Sequence, residues 1–194
     1  ARAGLVMVLE SANRMLAVGD PIGRIAAAGE LCSAYTAADL PQSAIEHCKR
    51  YRRLAASSGD TAYMARADYL EASALSRSAR PKQAVERWQS ARRRLLDMGQ
   101  NGLAARTAGS MANDLVVVGR YAEALEMADE SLAAAIAVSS AISVAISRGV
   151  RADALIGLGR YDEARRVYEA ATARSRDPAL AEAMARCLRR QMLD

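Results

Sequence analysis

Across residues 141–157 apolar positions recur at spacings of three and four, at Ile142, Ala145, Ile146, Gly149, Ala152, Leu155 and Ile156, before a short break at Gly157 to Arg160. That spacing predicts an amphipathic helix. A second run opens at Tyr121, with Ala124, Leu125, Ala128, Leu132 and Ala135 on one face, and stops at Ser139-Ser140. Two such helices joined by a short turn form a helical hairpin.

The hairpin repeats. Gly119-Arg120-Tyr121-Ala122-Glu123-Ala124 matches Gly159-Arg160-Tyr161-Asp162-Glu163-Ala164 at a displacement of 40, and earlier steps land on Ala84 and Ala44. Other columns keep the register: Cys32, Ala72, Ala112 and Ala152 are small, Tyr35, Leu75, Leu115 and Leu155 are large and apolar, and Gly19, Gly59 and Gly99 end each preceding segment. Small residues let helices approach to about 8 Å, and glycine supplies the left-handed conformation that closes a helix. Asp20-Pro21 and Asp177-Pro178 read as helix starts, with Asp60 and Asn101 in comparable places. The expected domain is one array over 1–194, with a half repeat at 1–18, full repeats at 21–58, 61–98, 101–138 and 141–176, and a half repeat or cap at 179–194.

The Gly-x-Tyr-x-x-Ala opening of the second helix, after a small and then a large apolar residue in the first, resembles the tetratricopeptide repeat over residues 21–176. Gly119, Tyr121, Ala124, Gly159, Tyr161 and Ala164 carry the turn signature, and Ala112 with Leu115 and Ala152 with Leu155 carry the first helix. Trp88 and Tyr168 stand at the large aromatic place of the second helix, while Cys48 and Ala128 depart from it. The period of 40 exceeds the family's usual length and the closing Pro is missing from the internal repeats, so the helices are longer. Lengthened repeats of this kind look like those in large bacterial signal-transduction and transcription regulators. The resemblance implies an all-α, right-handed superhelical solenoid of antiparallel helix hairpins. It implies a protein- or peptide-binding scaffold, the sensor or docking region of a larger regulator; an accessory segment of a multidomain enzyme and a self-associating assembly module are the alternatives.

Composition supports the fold and narrows the chemistry. With no Phe, one Trp and seven Tyr, the core must be built from Ala, Leu, Val, Ile and Met, an inventory for close-packed helices and not for strands. The net charge of +5 comes from 27 basic and 22 acidic residues that are interleaved. The basic runs at Lys49-Arg50 to Arg52-Arg53, Arg92 to Arg94 and Arg189-Arg190 lack flanking aromatics and read as solvated helix faces, which disfavours nucleic acid. Three cysteines, Cys32, Cys48 and Cys187, form an odd set without metal-ligand spacing, which argues against a disulfide framework or a zinc site and for a reducing cytoplasm. The most apolar stretch, Leu132 to Ile146, reads as buried helix and is too broken to span a membrane.

Catalysis has few candidates, so no enzymatic activity and no cofactor or metal are expected. His47, the only histidine, is read as a lone surface residue, Cys32 as buried and inert, and the recurring Glu123 and Glu163 as structural. If the first helices line the concave surface as the resemblance implies, the groove columns are Ala26, Arg66, Arg106, Ile146; Gly29, Tyr69, Gly109, Gly149; Ser33, Ser73, Asn113, Asp153; and Ala37, Arg77, Val117, Gly157. The candidate partner-binding residues are Arg66, Tyr69, Ser73, Arg106, Ser110, Asn113 and Asp153. Arg66 and Arg106 would fork onto an acidic group, with Ser73 and Asn113 contacting an extended backbone. Pairing of these arginines with Asp68, Glu71 or Asp114 is the competing structural reading. The mid-helix glycines are expected to permit close approach of a neighbouring helix. The neighbouring column, Glu30, Leu70, Ser110 and Val150, does not reproduce the carboxylate clamp of chaperone-tail binders. The expected partner is a protein or peptide with an acidic group, with self-association through the terminal half repeats as a further possibility.

Overall fold

The computed structural model describes residues 2–172, so Asp177-Pro178, Cys187, Arg189-Arg190 and the half repeat at 179–194 lie outside the described residues. Nine helices follow one another among the described residues: α1 (Arg2–Val18), α2 (Pro21–Ala37), α3 (Pro41–Ser58), α4 (Thr61–Arg77), α5 (Pro81–Asp97), α6 (Asn101–Val117), α7 (Tyr121–Ala137), α8 (Ala141–Gly157) and α9 (Tyr161–Thr172). The backbone divides into two compact units after Thr107.

The period of 40 resolves into two helices of near-equal length, because the left-handed turn recurs every 20 residues. Positive φ occurs at Asp39, Gly59, Ala79, Gly99, Gly119, Ser139 and Gly159. After each of these except Gly59, the next amide reaches back five residues, as in Leu40 N to Tyr35 O, Arg80 N to Leu75 O and Arg120 N to Leu115 O. This closes the helix by satisfying carbonyls its last turn leaves open. Gly19, expected in the same conformation, is not left-handed.

Helix starts alternate in chemistry. The first helices carry side-chain caps, with Asp20 accepting from Gly23 N, Asp60 from Ala62 N and Tyr63 N, and Ser140 from Ser143 N. Asn101, expected as a cap, is instead the first residue of α6. The second helices begin after Leu40, Arg80 and Arg120, none of which caps through its side chain. Pro41 and Pro81 fit the first turn of α3 and α5, where the missing N–H costs nothing. In α7 and α9 the residue before the helix pairs instead with a carboxylate of the first turn: Arg120 Nε and Arg160 Nε each donate at 2.7 Å to Glu123 and Glu163. The structural reading of those glutamates agrees with this geometry.

In unit 1, α3 buries Ala44, Ile45, Cys48, Tyr51 and Ala55, and α5 buries the same columns as Ala84, Val85, Trp88, Ala91 and Leu95. Both pack on α4, which buries residues on two sides. In unit 2, Ala112, Ala128 and Val150 form one cluster and Ala152 with Tyr168 another. The four column alanines, Ala44, Ala84, Ala124 and Ala164, are all buried. Each fully buried large side chain such as Leu31 or Leu155 contributes about 2 kcal/mol by removal from water.

Three expectations are corrected by the interior. Cys32 and Cys48 are joined in a disulfide that staples α2 to α3, with Cα atoms 4.6 Å apart. Their columns meet in unit 2 as well, as Ala112 with Ala128 and Ala152 with Tyr168, so the repeat itself brings the two sulfurs together. Second, Arg52 and Arg94 of the basic runs are not simply solvated: they reach the buried carboxylates Glu71 and Asp68 of α4. Third, Leu132 to Ile146 is the end of α7 and the start of α8, and it holds Ile136, Val138, Ile142 and Ile146, all more than half exposed. The buried face of α8 is set by Ser147, Val150, Ala152, Ala154 and Leu155 instead.

Candidate partner-binding surface

The first helices present different columns to solvent and to their second helices. Ala26, Arg66, Arg106 and Ile146 are exposed in every repeat. So is a column that the sequence reading missed, Ile22, Ala62, Gly102 and Ile142. Its signal was the same 40-residue recurrence, four positions earlier on the helix.

At Gly29, Tyr69 and Gly109 the glycine column meets a neighbouring helix. A Cβ on Gly29 would stand 3.2 Å from the Tyr51 ring of α3, and one on Gly109 would stand 2.5 Å from Ser131 Oγ of α7. Tyr69, the same column in α4, packs edge-on against Trp88 of α5 with ring centroids 5.0 Å apart. Tyr69 is half-buried, with part of its ring turned to the hairpin partner. Close approach by a neighbouring helix explains Gly29 and Gly109, whereas a Cβ on Gly149 would meet nothing within 4 Å.

In unit 1, Arg66 is exposed and its Nη2 lies 2.9 Å from Glu30 Oε1 on the preceding first helix. Its partner is thus Glu30 and not Asp68, Glu71 or Asp114. Arg77 reaches Asp39 in the same way, at 2.9 Å. Ser73 is half-buried and Arg106 exposed. These surface pairs contribute about 0–1 kcal/mol each, so a partner's carboxylate could displace Glu30 at small cost.

Unit 2 holds the remaining candidates. Ser110 is half-buried, Asn113 is exposed and donates weakly to Gly109 O at 3.4 Å, and Asp153 is exposed and accepts from Tyr168 Oη at 3.3 Å. Beside these polar residues, Val117, Ile142 and Ile146 of the first helices are between 59% and 76% exposed.

His47 is not a lone surface residue. Its ring stacks on Tyr35 with centroids 4.5 Å apart, and burial, then the nearby Arg50 cation, lower its pKa below 6.5 against the pull of Glu46. Burial likewise raises the Tyr51 phenol above its usual value. Among the described residues no cluster of three or more His, Cys, Asp or Glu could hold a metal, and no helix is long and apolar enough to cross a membrane.

Capped hairpins of equal helices, with small residues inside and recurring exposed columns on the first helix, define an all-α helical-repeat protein. Residues 103–177 match the tetratricopeptide repeat family. The fold is also that of a protein from Podosopora anserina described as a putative kinesin light chain with nearly identical TPR-like repeats: one crystal structure aligns at a TM-score of 0.75 and 19% identity over 89% of this chain and 88% of that one. A second crystal structure, of a single-substitution variant of that protein, aligns at 0.74 and 19% identity over 86% and 85%. No curated protein matches the chain. The match to the family thus lies in residues 103–177, and tetratricopeptide repeats generally mediate protein–protein interaction.

Proposed function

We propose that this chain is a non-catalytic docking or sensor segment of a larger bacterial regulatory protein, and that it holds a protein or peptide segment on its first helices. The observation that carries this reading is the recurrence of exposed first-helix columns, 22/62/102/142 and 26/66/106/146, beside columns closed by packing. In unit 1 the contact side chains are Arg66, Ser73 and Arg106, suited to an acidic group; in unit 2 they are Ser110, Asn113, Asp153 and the exposed isoleucines, suited to aliphatic side chains. A cytoplasmic setting fits such a regulator only if the buried Cys32–Cys48 bridge resists cellular thiols.

The double variant Arg66→Ala, Arg106→Ala is expected to weaken capture of the partner recovered from the native cell by about tenfold, as loss of two rim charges does, while leaving thermal unfolding unchanged. Full retention of every recovered partner would remove the arginines from the site. A second reading, self-association, is favoured by a cavity between α1 and α2 lined by Val8, Ala12, Met15, Ala26 and Ala27. A molar mass by light scattering that stays monomeric as concentration rises would exclude it.

A further inference from the structure

The second helices of unit 1 carry a larger net positive charge than the chain as a whole. α3 and α5 together carry nine Lys and Arg against three carboxylates, Glu46, Glu86 and Asp97, an excess of six where the whole chain has a net charge of +5. The corresponding α7 of unit 2 carries Glu123, Glu126, Asp129 and Glu130 and no cation. Position within the repeat therefore does not impose the charge.

Geometry fixes where these cations point. Glu71 of α4 is 3% exposed, and its Oε2 lies 2.7 Å from Arg52 Nε of α3 and 3.5 Å from Arg87 Nε of α5. The 2.7 Å contact is a charge contact outside hydrogen-bond alignment, since both atoms lack a hydrogen-bond partner. One buried oxygen thus draws guanidinium groups from both second helices to a common seam. Asp68, 2% exposed, holds Arg94 Nε in the same manner at 3.1 Å. The three arginine side chains remain about one-third exposed, at 34%, 31% and 35%. Held through Nε, each is partly ordered while about a third of its side chain stays open to solvent, so binding an anion costs less side-chain entropy than at a free arginine. Arg53 and Arg93, one repeat apart, are exposed beside this seam, and a shallow depression lined by Glu46, Lys49, Arg52 and Arg53 opens next to it.

We infer that the α3–α5 seam of unit 1 is a docking surface for an acidic protein segment, separate from the first-helix surface. Carboxylates of the partner meet the outward guanidinium edges and Arg53 and Arg93. Protein is favoured over nucleic acid because the aromatic residues of α3 and α5, Tyr51 and Trp88, are buried and offer no stacking platform. Among the arginines stand the half-buried Leu54 and the 40% exposed Leu96 instead, which suit aliphatic side chains of an acidic segment.

The test is fluorescence anisotropy of the full chain with a labelled peptide of repeated Glu-Glu-Leu, set against a labelled single-stranded oligonucleotide of equal charge. Expected are saturable peptide binding that weakens with salt and drops about tenfold or more in Arg53→Glu, Arg93→Glu, with Arg66→Ala, Arg106→Ala binding as tightly as the parent. Thermal melting checks that the charge reversals leave the fold intact; Lys49→Gln, Arg53→Gln is the milder variant and should weaken binding in the same direction. No peptide binding at low salt, unchanged binding in both seam variants, or tighter binding of the oligonucleotide would each overturn the proposal. Loss of binding in the Arg66, Arg106 variant would also overturn it by assigning the acidic segment to the first helices.

Discussion

Units 1 and 2 are built on the same columns and fill them differently. In unit 1, the first hairpin closes on a disulfide between Cys32 and Cys48, the second packs Tyr69 on Trp88, and α4 buries two carboxylates against arginines. In unit 2, the same columns hold Ala112 with Ala128 and Ala152 with Tyr168, and α7 and α8 are linked by a 3.0 Å hydroxyl contact of Ser131 with Ser147 and a 2.6 Å pair of Arg151 with Asp129. Outside, unit 1 shows the ion pairs Arg66–Glu30 and Arg77–Asp39 beside the exposed Ile22, and unit 2 shows Val117, Ile142 and Ile146 beside Asn113 and Asp153. A backbone period of 20 therefore fixes the hairpin, while the column chemistry is free to vary as long as each facing pair fills its space.

The largest effect should come from making unit 1 resemble unit 2 at the staple. Cys32→Ala with Cys48→Ala installs the Ala112–Ala128 pair in the first hairpin. The bridge spans a sequence separation of 16, and a loop of that size restricts the unfolded chain by about 3 kcal/mol. Urea unfolding of the non-reduced chain and of the variant should differ by about that amount, and dithiothreitol should affect only the parent. Three titratable thiols in the denatured, non-reduced parent would show that the bridge does not form.

A smaller effect, of opposite sign in the two units, is expected in the glycine column. Gly29→Ala gains about 1 kcal/mol of helix propensity but places its methyl 3.2 Å from the ring of Tyr51, which is 1% exposed and cannot retreat. Overpacking of this kind costs about 1–3 kcal/mol, so the variant should be less stable. Gly149→Ala meets nothing within 4 Å and should stabilise by about 1 kcal/mol. Equal shifts in the urea midpoint would mean that the column has one role in both units.

These columns also show how far the sequence could be read. The register was legible because Ala44, Ala84, Ala124 and Ala164 recur at one place on the second helices, where each is fully buried and lets a neighbouring helix approach. Exposure of Arg66 and Arg106 was legible for the same reason, since a long charged side chain has few other places to go. A glycine carries no such direction: Gly29 against a ring and Gly149 in open space read alike. The staple was missed because an odd cysteine count was weighed before the columns; positions 32 and 48 face each other in each hairpin, and pairing the columns first would have found it. Asp68 and Glu71 were read as surface partners of Arg66 and Arg106 because carboxylates are rarely buried without partners, and the arginines that hold them lie on other helices.

The smallest effect again separates the first hairpin from the rest, since His47 is the chain's only histidine. Its pKa is lowered by burial against Tyr35 and by Arg50, so the unfolded chain takes up the proton at a higher pH than the folded one. Between the two values the unfolded state binds more protons, and stability must fall as the pH drops. The contribution is fully present above about pH 6.5, the ordinary histidine value, and is lost as pH falls through the lower folded value. His47→Phe keeps a flat ring beside Tyr35 and removes the titration. Over that window the urea midpoint of the parent should fall further than that of the variant, because titrating carboxylates act on both alike. Parallel curves for the two proteins would mean that the stack does not exclude the charged ring.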